Sequence, residues 1–146
     1  MADTTIRWAC VTEIVSGLGG MPMMSGAQVD PGWPGDEAKP ELVWVSDLDG
    51  EVTIPVSKAG RMYRDDQFQI PLQVRVFGKR TTTLTGDRLH EIVSAIEDYF
   101  ADDCTIGDFD GVVSAEVSSV RSTITTLPEG PIGFAEVVVS VHARLT

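Results

Sequence analysis

The residues that could carry chemistry in this chain are few and poorly spaced for it. Two acidic turns, Asp47-Leu48-Asp49-Gly50 and Asp108-Phe109-Asp110-Gly111, look like pieces of a calcium loop. Neither continues to the third acid and the bidentate Glu at the twelfth position that complete such a loop. The two histidines, His90 and His142, have no metal-ligand pair beside them, and no Ser sits in a Gly-x-Ser-x-Gly elbow. Gly17-Leu18-Gly19-Gly20 ends a helical pattern where a phosphate-binding loop would have to open one. Cys10 falls on an apolar helix stripe and reads as a small core residue. Cys104 lies among Asp102, Asp103 and Asp108, where a thiolate is disfavoured. The residues therefore point away from an enzyme, with no catalytic, metal or cofactor-binding set.

Charge is the more informative property. Eleven Lys and Arg face 22 Asp and Glu, a net of −11 over 146 residues. That balance argues against binding dominated by nucleic-acid phosphates. A 42% apolar composition excludes a disordered acidic tail, and no run approaches the ~18 apolar residues of a membrane span. Asp3 and Glu13 around the first apolar residues do not fit a secretory leader. Two lone cysteines agree with a reducing cytoplasmic setting. The charges are also unevenly placed. Lys58, Arg61, Arg64, Arg75, Lys79, Arg80 and Arg88 fall in one block, six acids without a base lie between Glu97 and Asp110, and seven acids with only Lys39 lie between Asp30 and Glu51. On a solvated surface this is chance clustering. In an assembly it is a bipolar subunit whose basic arm meets an acidic patch on the next copy, and head-to-tail contacts of that kind close into rings.

The elements that would position these groups follow from periodicity. Residues 4–18 place Ile6, Cys10, Val11, Ile14, Val15 and Leu18 at helical spacing, ended by Gly19-Gly20. A loop over 19–41 follows, rich in Gly and Pro yet carrying Met21, Met23, Met24 and Trp33. It either folds back over the core or docks on a partner. Glu41–Ser46 reads as a strand, and Asp49-Gly50 as a hairpin turn into a second strand at Val52–Val56. Residues 57–66 form a charged arm. Phe68, Ile70, Leu72, Val74 and Val76 then alternate with Gln67, Gln69, Gln73 and Arg75, a strand with one buried face, and Pro71 predicts a free edge or bulge there. Leu89, Ile92, Val93, Ile96, Tyr99 and Phe100 make a helix over 87–101, capped by Thr85 or Asp87, and strands near 112–126 and 134–145 close the chain. This order predicts an α+β fold in a single domain, residues 1–146: an antiparallel-rich mixed sheet of about four to five strands with two helices packed on one face.

The cadence resembles the tail terminator proteins of long-tailed, siphovirus-type bacteriophages. The likeness rests on an N-terminal helix, the Glu41–Val56 strands, a charged loop, the Arg64-Asp65-Asp66-x-Phe-x-Ile-x-Leu-x-Val-x-Val stretch, the helix 87–100 and a closing hairpin. The resemblance implies a structural virion protein, a ring, hexameric in that family, that caps the tail tube, stops its polymerisation and offers the head a docking interface. It implies as partners further copies of itself, the tail tube protein and a head-completion or neck protein. DNA would pass through the channel without specific binding, and no cofactor or membrane would be involved. The place would be the tail-neck junction of a virion assembled in the host cytoplasm. The candidate inter-subunit or tube contacts are Lys58, Arg61, Tyr63, Arg64, Asp65 and Asp66, with Met21, Met23, Met24 and Trp33 as a partner-docking loop. Two alternatives stay open: another head-tail neck component, such as a head-closure or tail-completion protein, and a small monomeric ligand-binding α+β domain.

Overall fold

The computed structural model describes residues 3–53, 64–103, 105–106 and 111–145. Helix α1 (Asp3–Gly19) leads through a 3-10 turn at Pro22–Met24 into β1 (Gln28–Asp30), and a second 3-10 turn at Gly35–Glu37 precedes β2 (Glu41–Val45). Then come β3 (Asp49–Thr53), β4 (Arg64–Phe77), α2 (Thr82–Asp102), β5 (Val112–Leu127) and β6 (Gly130–Leu145). The sheet runs β1-β2-β4-β6-β5, with β3 also paired to β4, and every pairing but the parallel β1–β2 is antiparallel. The expected α+β fold with an antiparallel-rich mixed sheet is what forms.

Period-two alternation explains the layers. On β4, Phe68, Ile70, Leu72, Val74 and Val76 are buried, and on β6 so are Ala135, Val137, Val139, Val141 and Ala143. Paired residues share a face, so both stripes meet under Cys10, Val11, Ile14 and Leu18 of α1 and Leu89, Ile92 and Ile96 of α2. Both helices thus lie on one face. Gly17 of α1 meets Tyr99 of α2, where a Cβ would come within 2.6 Å of the ring. The other face carries Gln73, Arg75, Phe134 and Glu136.

Three local expectations are corrected. The 19–41 segment is not all loop: residues 28–30 add a parallel edge strand, so β1 is a strand the composition concealed. Asp49-Gly50 is not a hairpin turn. It lies inside β3, paired with Gln69 and Phe68, because β2 and β3 line up end to end along the same side of β4 rather than with each other. Pro71 falls in the gap between them, where its carbonyl accepts from Ser46 N at 3.1 Å and its missing N–H costs no ladder bond. Finally, α2 starts five residues early. Thr81 caps it, its Oγ1 accepting from Leu84 N at 3.1 Å, while Thr85 is buried inside the first turn. Gly78, at φ +90°, makes the left-handed turn that leads from β4 toward this cap.

Candidate interaction surface

The charged arm is the first place where structure and expectation part. Arg64, Asp65 and Asp66 belong to β4, not to an arm: β6 pairs with all three, and β3 pairs with Asp65 and Asp66 on the other side. Alternation turns Asp66 to the helix-covered face, where it is fully buried. Its carboxylate accepts from Arg7 Nε at 3.1 Å and Nη2 at 2.7 Å, and the guanidinium lies 5.3 Å over the Phe68 ring. A two-point charge pair of this kind orients as well as attracts. Asp66 therefore joins α1 to the sheet and is corrected as a tube or inter-subunit contact. Lys58, Arg61 and Tyr63 lie outside the described residues, and of Arg64 and Asp65 only the backbone is described.

The neighbouring Cys10 is buried. Burial pushes its thiol up to about 12, and the Asp66 charge adds to this, so it stays a neutral thiol packed in the core.

A second charged cluster lies at the top of the sheet. Glu41, at the start of β2, accepts from Lys79 Nζ at 2.9 Å and Arg88 Nε at 2.9 Å. Arg88 also donates to the carbonyls of Met23 at 3.0 Å and Ser25 at 3.2 Å. Burial alone would raise the Glu41 pKa. Hydrogen bonds from Lys79 and Arg88, with their charges, outweigh it and hold the carboxyl below its ordinary value. Arg88 thus ties α2, β2 and the Pro22–Met24 turn together, and this cluster holds two of the seven basic-block residues, Lys79 and Arg88, within the subunit. With Lys39, Ser25 and Gly78 they border a surface depression of about 520 Å³.

The apolar loop residues divide between two faces. Met24 is buried beneath the helices and is corrected as a docking residue, whereas Met23 is 48% exposed. Met21 is half-buried against the core. Beyond β1 the chain crosses the open face, where Trp33 meets Trp44 edge-on with centroids 5.0 Å apart, and Arg75 lies 5.4 Å over Trp33. Arg75 Nη2 also donates to Lys39 O at 2.7 Å. This crossing is how a parallel pair is joined: residues 31–40 carry the chain from the end of β1 back to the start of β2. Leu42, on the same face as Arg75 and away from the helices, is fully buried. Trp33 nonetheless keeps 54% of its surface exposed. The loop both folds back and leaves apolar surface outside.

Two surfaces went unseen in the sequence. Ten consecutive residues of β5, Ser118–Leu127, are exposed, including Val120, Ile124 and Leu127. A groove of about 540 Å³ runs between the Pro22–Met24 turn and α2, lined by Met21, Met23, Asp87, His90, Glu91 and Asp98 among others. His90 uses Nδ1 on Gly86 O at 2.8 Å. Among the described residues no cluster of His, Cys, Asp and Glu could hold a metal ion, and no helix is long and apolar enough to cross a membrane. The sequence signal for β5 was available: from Val117 to Leu127 an otherwise acidic chain has no acid at all.

No family model and no curated protein matches this chain. A solved structure does: a chain in the virion of a native gene transfer agent particle superposes with a TM-score of 0.62 at 10% identity, covering 92% of this chain and 93% of that one. At that identity the likeness is one of fold, and it covers nearly the whole of both chains.

Proposed function

We propose that this chain is a structural virion protein of a phage-like particle, and within it a tail-terminator-type subunit. In this reading copies form a ring, hexameric by analogy, that caps the tail tube, stops its growth and gives the head a surface to dock on. The observation that carries the reading is the near end-to-end fold likeness to a chain of a gene transfer agent virion. The charge distribution supports it: a −11 subunit with segregated basic and acidic stretches suits contacts among copies around a channel that leaves passing DNA unbound. The partners would be further copies, the tail tube protein and a head-completion protein, with no cofactor, at the neck of the virion.

Purified protein mixed with polymerising tail-tube subunits tests this. Capped tube ends and arrested growth, seen by negative-stain imaging, are the expected result. A protein that leaves tube ends growing but binds the portal side of the head is a head-closure adaptor instead. One that stays monomeric and binds neither is no virion component.

A further inference from the structure

We propose that the outer half of β5 on one copy seats in the groove between the Pro22–Met24 turn and α2 on the next, so that copies join head to tail. This rests on the ring reading above and names the surfaces that would close it.

The first surface is an edge that the fold leaves uncovered. Among the described residues β5 pairs on one side only, with β6, and its residues 118–127 are exposed. Val120 and Ile124 share the helix-side face, opposite Val137 and Gly133 of β6, yet remain 41% and 39% exposed, even though Ile124 reaches Gly86 of α2. An exposed edge with β-branched residues invites another chain, and folds that stay monomeric usually blunt it with charge, Pro or a bulge. Here the irregularities in pairing lie before Ser119, and Arg121 is the single charged residue in the exposed stretch. Arg121 is itself 86% exposed and among the described residues pairs with Glu136 alone, at 3.8 Å.

The second surface has the opposite character. Asp87, Glu91 and Asp98 border a groove floored in part by Met21 and Met23. Glu91 shares Arg88 at 3.3 Å, while no cation among the described residues pairs with Asp87 or Asp98. Methionine side chains adapt to whatever enters, so an apolar floor with an acidic rim fits a segment that is β-branched and basic. That is the chemistry of Val120, Arg121 and Ile124.

Position makes the contact intermolecular. On α2, Gly86 faces Ile124 while Arg88 reaches the carbonyl of Met23, so β5 and the groove flank the helix on opposite sides. A copy cannot fold its own β5 into its own groove. Two different patches in contact make a heterologous interface, which repeats from copy to copy and closes if the rotation permits.

Two full-length variants test this, each altering exposed side chains only: an edge variant, R121E/I124E, and a groove variant, D87R/D98R. Circular dichroism and thermal melting should match the native protein. In native mass spectrometry each variant alone should lose the large assembly, with at least about tenfold weaker association. Mixed one to one, they should give a complex of two copies and nothing larger, because one contributes an intact groove and the other an intact edge. Assemblies of native size in both variants overturn the inference while leaving tube capping intact. So does a symmetric dimer abolished by the edge variant and indifferent to the groove variant, since β5 would then pair with itself. A native protein that stays monomeric at every concentration overturns both the inference and the ring reading.

Discussion

Arg7 and Asp66 are 59 residues apart in the chain, and their side chains meet through two hydrogen bonds, 3.1 and 2.7 Å long, beneath the helix layer. The carboxylate is wholly enclosed and the guanidinium nearly so, with 16% of its side chain exposed. Attraction between such groups is offset by the water each gives up, but removing one partner strands the other. Asp66→Ala should therefore cost about 3–5 kcal/mol. For a domain of this size that is a melting temperature lower by on the order of 10 °C, measured by calorimetry. Replacing both residues, as Arg7→Met with Asp66→Leu, should recover most of the loss.

Glu41 provides a pH test. Its folded pKa lies below the unfolded value of 4.5, so its contribution is fully present above that value and is lost as pH falls through the folded pKa. The stability difference between the native protein and Glu41→Gln should be constant from pH 7 to about 5 and should shrink on further acidification. Denaturant unfolding across that range checks it. A difference that stays constant below pH 4 would show that the Lys79 and Arg88 contacts do not depend on the carboxylate charge.

Cys10 predicts the opposite limb. Its thiol is raised to about 12 against an ordinary 9.0, so the folded form keeps its proton where the unfolded chain loses it. Stability should fall as pH rises from 9 toward 12, and less so in Cys10→Ala after allowance for the cavity. In the folded protein at pH 8, a thiol reagent should label Cys10 only at the rate of global opening.

Gly17 packs against the ring of Tyr99, where a Cβ would lie 2.6 Å from the nearer ring carbon and 2.8 Å from the next. Gly17→Ala should destabilise by about 1–3 kcal/mol despite the better helix propensity of alanine. The double variant Gly17→Ala/Tyr99→Leu should regain most of it. Thermal melts of the four proteins give the coupling directly.

Much of this architecture was legible because burial here obeys a simple period. The alternation from Phe68 to Val76 and the stripe from Leu89 to Phe100 are each complete within one element, so local reading sufficed. What failed was long-range. Nothing near Asp49-Gly50 says that its partner is Phe68 and not the preceding strand. Nothing near Gln28 says that three residues between glycines and prolines will join β2. Asp66 looked like part of a charged arm because its neighbours are charged, and only the pairing of β4 with β6 sets which way it points. For the interaction surface, residue type was a poor guide. Met24 and Met23 are adjacent and identical in chemistry, yet one is buried and the other half exposed.

The pairing of β4 with β6 runs without interruption along all 14 residues of β4, from Arg64 against Leu145 to Phe77 against Ile132. Antiparallel ladder bonds stand perpendicular to the strands. A pull along the strand direction therefore loads these rungs together in shear, whereas a sideways pull would open them one after another. A subunit carrying such a ladder is stiff along one axis and yields along another, so its orientation in an assembly decides how much tension it can transmit.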